Sequence, residues 1–256
     1  MKKLLTLIVC ALVVWATSTA QNVGGGRSSG GNTFFSTEKV DKSVIIGIRG
    51  GMNIAGLSSE FVKSYGKDHS FKNAVGFNVG VNVDIPIVQS FYVQTGAYFT
   101  SKNAKIEETV YDDGVHFVKD IKLNPMYVEI PLLASYRYNF NEKAQLQVNL
   151  GPYFAYGVTG KANDGEERIN LFSKTKNISD EKFLKPFDAG ICIGLGFTLN
   201  HFFVGVKYEK GFTNICSPKG WQQKYWQQGY YNEVVYIQGL KGIKTHNLSI
   251  NVGYDF

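Results

Sequence analysis

Hydrophobic and polar residues alternate one by one in most segments of the chain after residue 42. The segment Ala74–Ile85 shows this best: its odd positions hold Val, Phe and Ile, and positions 76 to 84 hold Gly, Asn and Asp at even numbers. A period of two is typical of a β-strand whose two faces meet different surroundings. Eight strands are predicted, at Ser43–Leu57, Ala74–Ile85, Ser90–Lys102, Met126–Phe140, Gln145–Val158, Phe187–Leu199, Phe202–Lys210 and Thr245–Phe256.

The links between these strands alternate in length. Tight turns are predicted at Ile87–Gln89, Asn141–Ala144 and Asn200–His201, and the other links span roughly 15 to 35 residues. In the link after the third strand, Asp112-Asp113-Gly114 lies between two short apolar runs and predicts a hairpin. Short turns at one end and long loops at the other are typical of outer-membrane barrels, with the long loops on the outer side.

The N-terminal region is expected to serve export rather than to join the fold. Residues 1–20 combine two lysines, a short apolar run and small residues at the end, which is the composition of a secretory signal peptide. Cleavage is expected before Gln21. Residues 21–42 are rich in Gly and Ser and predict a flexible periplasmic leader. Residues 43–256 then form the predicted barrel.

The composition fits strands that separate lipid from a packed interior. Aromatic residues make up 14% of the chain and glycines number 28. After the signal peptide, no apolar run reaches the length of a membrane-spanning helix, so a chain that enters the membrane must do so as a closed barrel. The formal charge of +6 falls to +4 without the two signal lysines and forms no stripe, so no nucleic-acid partner is expected.

A soluble β-sandwich or lipocalin-like barrel would also show one apolar face per strand. Two observations favour the membrane. The polar faces carry Gly, Asn, Arg, Asp and Glu in nearly every strand, as expected for a narrow lumen, and aromatic residues gather near strand ends, where membrane girdles lie. The predicted girdle residues are Phe91, Tyr92, Tyr98, Phe99, Tyr136, Phe140, Phe154, Tyr156, Phe202, Tyr208, Tyr254 and Phe256.

The C-terminal strand resembles the signal by which bacterial barrels are recognised for outer-membrane assembly. It alternates and ends on an aromatic residue, with the apolar row Leu248, Ile250, Val252, Tyr254 and Phe256. The resemblance implies that the barrel-assembly machinery is a partner through this strand.

Three further segments, Gly47–Asn53, Gly76–Pro86 and Tyr127–Leu133, are similar to the porin-family, PorT-like outer-membrane β-barrel domain of Bacteroidota. The similarity covers about Ser43 to Phe256. It implies an all-β, closed antiparallel eight-stranded transmembrane barrel in the outer membrane of a Gram-negative bacterium. The family has mixed roles and no catalytic motif to transfer. PorT itself serves a protein secretion system, and no residue here singles out that role.

Charged residues recur on the predicted interior faces of the strands. An eight-stranded barrel leaves a lumen only wide enough for side chains, and buried charges must be paired. The expected result is an ion-paired plug, and a narrow polar path for ions or a gated small solute stays open as the alternative. The predicted lumen network consists of Arg49, Asp84, Glu129, Arg137, Asp188, Lys207 and Glu209.

The outer loop after the seventh strand repeats a Trp-Gln-Gln unit among aromatic residues. Exposed amphipathic aromatics are typical anchors for a glycan or protein ligand, and the alternative is a loop that packs on itself. The other outer loops mix both charge signs, which suits a surface facing lipid and lipopolysaccharide. The predicted aromatic patch comprises Trp221, Tyr225, Trp226, Tyr230 and Tyr231.

No enzyme, cofactor or metal site is predicted. The four histidines are scattered over loops, turns and the outer rim, and the chain lacks a GxSxG motif. A lipid-modifying outer-membrane enzyme is the weakest of the alternatives. The leading hypothesis is a structural, adhesion or assembly role through the outer loops, followed by narrow-solute transport or a secretion-system accessory role. A disulfide between Cys192 and Cys216 is left open.

Overall fold

The computed structural model of the chain describes residues 43–61, 67–112, 115–141, 143–163, 168–173, 183–217, 222–224, 234–236 and 240–256. Within these ranges, no helix has the length and apolar character needed to cross a membrane. The strands are β1 (Ile45–Phe61), β2 (Lys67–Val88), β3 (Phe91–Ser101), β4 (Ala104–Asp112), β5 (Val115–Asn139), β6 (Ala144–Asn163), β7 (Arg168–Asn170), β8 (Phe187–Leu199), β9 (Phe202–Gly211), β10 (Gln222–Lys224), β11 (Val234–Tyr236) and β12 (Leu240–Asp255).

Eight of these strands form a closed antiparallel barrel in the order β1, β2, β3, β5, β6, β8, β9, β12, and β12 pairs with β1 to complete the ring. The prediction of an eight-stranded barrel is therefore confirmed. We traced cross-strand partners from strand to strand around the ring, starting at Ile85 of β2. The trace returns to β2 at Val75, ten residues nearer the outer end. This stagger tilts the strands as closure requires.

The apolar face of every barrel strand points outward. Val79, Leu195 and Ile250 are 54%, 59% and 61% exposed, although each lies in the middle of its strand. The alternate residues point into the lumen and are mostly polar, for example Asn82 and Ser249, which are about 1% exposed. An apolar exterior around a polar interior is the arrangement of a barrel whose solvent is lipid.

The tight turns lie at residues 89–90, 140–143 and 200–201, at or next to the predicted places. Asn200 has a φ of 56°, a left-handed conformation that asparagine tolerates better than most residues. These turns and both ends of the barrel sequence, Ile45 and Asp255, share one end of the barrel. We call it the periplasmic end and the opposite one the outer end.

The predicted length of the outer links is wrong for two of them. β1 continues to Phe61 and β2 begins at Lys67, and the link after β3 is mostly the hairpin β4–β5, whose last pair is Asp112 with Val115. The hairpin itself is confirmed. β4 lies between the outer parts of β2 and β5 and so extends the wall beyond the ring. Polar residues in these segments hid the strands, because above the membrane the outward face need not be apolar.

Two of the predicted girdle residues lie elsewhere. Tyr92 and Tyr98 are 2% and 9% exposed and point into the lumen, because they share the interior parity of β3. At the periplasmic end, an outward aromatic band is present, with ring-centroid distances of 5.1 to 5.3 Å within the pairs Phe91–Tyr136, Tyr138–Phe140, Phe202–Tyr254 and Tyr254–Phe256. Exposed aromatics at the outer end include Tyr156, Phe187 and Phe212.

The outer mouth of the barrel is filled by an apolar cluster that we call the mouth core. Leu171, Leu184 and Ile215 are at most 1% exposed there, and backbone hydrogen bonds hold their segments together: Leu184 N–H donates to Leu171 O at 2.9 Å, and Ile215 N–H donates to Ile243 O at 2.9 Å. The mouth core comprises Leu57, Ala104, Ile106, Leu123, Tyr127, Ala162, Leu171, Phe172, Phe183, Leu184, Ile215, Cys216 and Ile243.

Candidate functional site

The periplasmic half of the lumen holds two buried ion pairs, which we call the lower layer. Arg49 Nη2 lies 2.6 Å from Asp255 Oδ1, and Arg137 pairs with Asp84. Gln94 Nε2 also donates to Asp84 Oδ1 at 2.9 Å. Arg49 and Asp255 join the neighbouring strands β1 and β12, and Arg137 and Asp84 join β5 and β2 past β3.

Both arginines of the lower layer also lie over aromatic rings. The guanidinium carbon of Arg49 is 4.0 Å from the ring centroid of Phe203, and that of Arg137 is 4.2 Å from the ring centroid of Tyr92. A guanidinium stacked on a ring in a desolvated place gains a cation–π attraction besides its ion pair. The lumen therefore fills its width with arginine and aromatic planes.

The outer half of the lumen holds a larger cluster, the upper layer, built around two lysines. Lys102 Nζ lies 3.0 Å from Glu129 Oε2 and 3.5 Å from both Asp188 Oδ2 and Glu209 Oε2. Lys207 Nζ lies 3.1 Å from Glu129 Oε1 and also pairs with Glu209. Each lysine thus bridges carboxylates of different strands, and the five side chains form one connected network.

Asp188 is satisfied mainly by hydroxyl groups rather than by the lysine. Thr245 Oγ1 and Thr213 Oγ1 each donate to it at 2.7 Å, and Tyr153 OH donates to Oδ2 at 3.2 Å. Lys102 also stacks over the Tyr153 ring at 4.2 Å. A buried carboxylate with this many donors is held in one position, which is a structural arrangement rather than that of a reacting group.

A small cavity separates the two layers. About 50 Å³ of it is open to the centres of water molecules, enough for a few waters. Asn82 Nδ2, Asn149 Oδ1 and Asn251 Oδ1 are buried in its lining and have no hydrogen-bond partner among the residues that the structure describes. Polar atoms of this kind are normally satisfied by ordered water, so we call this cavity the hydrated pocket.

All seven residues of the predicted lumen network point into the lumen, and the structure divides them between the two layers. Sequence reasoning missed Lys102 and Asp255. Lys102 follows the inward-facing Thr100 by two residues, and Asp255 follows the inward-facing Asn251 by four. The alternation therefore predicts that both side chains face the lumen. The sequence pattern puts Lys102 at the end of the third predicted strand, and the structure buries it at the centre of the upper layer.

The other predicted sites have different outcomes. In the C-terminal row, Leu248, Ile250, Val252 and Phe256 are 44% to 72% exposed on the outward face, and Tyr254 stacks against His201 with ring centroids 5.5 Å apart. The role of this row in assembly remains a prediction. The five residues of the aromatic patch, Trp221, Tyr225, Trp226, Tyr230 and Tyr231, lie outside the described residues, as do residues 1–42.

The two cysteines of the barrel are free and buried thiols. Cys192 lies in β8 and points into the lumen, whereas Cys216 belongs to the mouth core. Burial raises the pKa of the Cys216 thiol to about 11, against the opposing effect of Lys185. The disulfide left open by the sequence is absent.

A family model described as an outer membrane protein beta-barrel domain matches residues 20–217, well over half of the chain. The chain belongs to this family. Its location is therefore the bacterial outer membrane, and the outward apolar face described above is the lipid-facing surface. Among curated proteins, no sequence matches.

Solved barrels of several bacteria are distantly similar. OprG from Pseudomonas aeruginosa is 15% identical with a TM-score of 0.43, over 83% of this chain and 95% of that one. Ail of Yersinia pestis, in complex with the heparin analogue sucrose octasulfate, is 13% identical with a TM-score of 0.36, over 83% and 99%. Neisserial surface protein A is 10% identical with a TM-score of 0.35, over 82% and 97%. These values carry no conclusion about function.

Proposed function

We propose that this chain is a non-conducting, non-enzymatic outer-membrane barrel that holds its outer loops at the cell surface for a structural, adhesion or assembly role. The observation that carries the proposal is the filled lumen. A solute entering from outside would meet the mouth core, then the upper layer, and then the lower layer. All three would have to rearrange before a solute could pass, and separating the partners of a buried ion pair costs several kcal/mol, about 3–5.

Narrow-solute transport and a secretion-accessory role remain the second candidates. The hydrated pocket between the two layers supports the first, since it supplies polar groups in the middle of the lumen. The resemblance to PorT-like domains supports the second. A lipid-modifying enzyme has the least support, because the described histidines contact other partners: His201 Nδ1 lies 2.9 Å from Asp255 O, and His246 Nε2 lies 2.9 Å from Asn73 Oδ1.

The proposal also includes the export and membrane assembly of the chain. The signal peptide is cut before Gln21, the leader 21–42 stays in the periplasm, and the barrel-assembly machinery recognises the outward row of β12. The exposure of that row and its place next to β1, where the ring closes, support this role.

The aromatic patch at residues 221–231 is the proposed anchor for a protein or glycan ligand. A photo-crosslinking amino acid at Trp226, in the full chain on intact cells, is expected to capture a macromolecule on the outer side, and the same probe at Lys143 in a periplasmic turn is not. Changing Trp221, Tyr225, Tyr230 and Tyr231 to serine should lower the yield at position 226 by roughly tenfold or more, because aromatic anchors dominate binding energy. Absence of any adduct at position 226 would contradict the proposal.

A further inference from the structure

Three basic side chains lie together on the outward face at the outer rim. Lys210 of β9 is the direct cross-strand partner of His246 of β12. Lys244 lies two residues from His246 and therefore on the same face of β12. Direct cross-strand neighbours have Cβ atoms about 5 Å apart and diagonal ones about 7–8 Å, so the three form one group. We call it the rim cluster.

The rim cluster lies immediately above the lipid-facing surface. Tyr208 and Leu248, one step towards the periplasmic end on the same two strands, are 42% and 44% exposed. Exposed Phe212 follows β9 directly. Aromatic residues and lysines mixed at the end of an apolar band mark the level of the lipid headgroups.

The charge of the rim cluster is not neutralised by the described protein. Neither Lys210 nor Lys244 forms an ion pair with any residue that the structure describes, and the described carboxylates pair elsewhere. His246 is held in place by Asn73, to whose amide oxygen its Nε2–H donates at 2.9 Å. Ser58, the cross-strand partner of Lys244, donates its hydroxyl to Lys244 O at 3.4 Å. Adjacent basic groups without a counter-charge attract an anion.

We propose that the rim cluster binds a phosphate group of lipid A, the phosphorylated lipid of the outer leaflet, while the acyl chains of the same molecule pack on Tyr208 and Leu248. The two lysines supply the charge, and His246, held by Asn73, borders the phosphate. This site rests on the outer-membrane location given by the family and not on the role proposed for the loops. A lipid fits better than a soluble anion because the basic group and the acyl-facing residues are continuous on two neighbouring strands.

The test measures binding of diphosphoryl lipid A to the detergent-solubilised full chain by native mass spectrometry. The variant K210Q/K244Q should bind lipid A about 30-fold more weakly than the unmodified chain, since each basic residue near an anionic lipid surface contributes slightly more than about a fivefold factor. The control K143Q/K185Q removes the same charge from two exposed lysines outside the rim cluster, one in the periplasmic turn before β6 and one beside the mouth core. It should leave the affinity unchanged. A gel shift between unboiled and boiled samples checks that each variant is folded.

A second arm uses lipid A from which the phosphates have been removed. The unmodified chain should bind the dephosphorylated lipid as weakly as K210Q/K244Q binds lipid A, because the anionic partner of the two lysines is then missing. Two results would overturn the proposal. One is equal affinity of the unmodified chain for the two lipids, and the other is an equal loss of affinity in the control variant.

Discussion

Arginine in place of Ile250 is expected to destabilise the folded barrel in a bilayer by about 2–4 kcal/mol, the cost of a basic side chain at the midplane of a lipid-facing strand. Ile250 is 61% exposed and lies in the middle of β12, between Leu248 and Val252 on the same outward row. In a water-soluble protein the same change at so exposed a position would alter stability by no more than about 0.5 kcal/mol. The measurement is a urea titration of the full chain in phosphatidylcholine vesicles.

The matched control for Ile250→Arg is Thr159→Arg. Thr159 is also exposed and lies in β6, but it follows the apolar row of that strand and sits at the outer end. Near the interface the cost of a basic residue falls to about 0–1 kcal/mol. If Ile250→Arg were as stable as Thr159→Arg in vesicles, the outward row of β12 would not be in lipid.

Methionine in place of Lys102 is expected to cost about 3–5 kcal/mol of unfolding free energy, the range for removing one partner of a buried ion pair. Lys102 is 2% exposed and bridges three carboxylates in the upper layer. Methionine has a side chain of similar volume to lysine, so the loss of unfolding free energy reports on the missing charge. Without Lys102, Glu129 and Glu209 would share Lys207 alone, and Asp188 would keep only its hydroxyl donors.

A second variant keeps this prediction testable if Lys102→Met folds poorly. In K102M/E129Q one acidic charge is removed with the basic one, which relieves the imbalance in the upper layer. The double variant should be about 1–3 kcal/mol more stable than the sum of the two single changes predicts. Additive effects, or a Lys102→Met barrel within about 1 kcal/mol of the unmodified chain, would show that the upper layer is not a coupled ion-pair network.

The ring of strands could be predicted from the sequence because lipid and a polar lumen impose opposite chemistry on alternate residues. In β2, positions 75 to 85 show this without exception, and every odd residue points outward in the structure. The same parity predicts that Arg49, Glu129 and Asp188 lie inside, and all three are buried in the lumen. In this chain the alternation is clearest in the parts of the strands whose outward face meets lipid.

The rest of the structure could not be predicted, because it lies beyond the membrane, where alternate residues of a strand no longer face lipid and lumen. Above the membrane both faces of a strand tolerate polar residues, so β4 and the outer parts of β1 and β2 appeared as loops. The mouth core depends on contacts between segments far apart in the chain, such as Leu171 with Leu184 and Ile215 with Ile243, and no local pattern encodes them. Which acid pairs with Lys102 depends on the register of several strands at once.

A planar lipid bilayer containing the purified full chain gives the decisive measurement, since the proposed non-conducting role depends on a lumen without a through path. Current is recorded at both polarities, and the unboiled gel position of the same sample shows that the barrel is folded. The mouth core and the two ion-pair layers predict no conductance steps above the baseline of protein-free membranes. Reproducible steps of uniform size from the folded barrel would mean that ions cross the lumen and that the chain forms a channel.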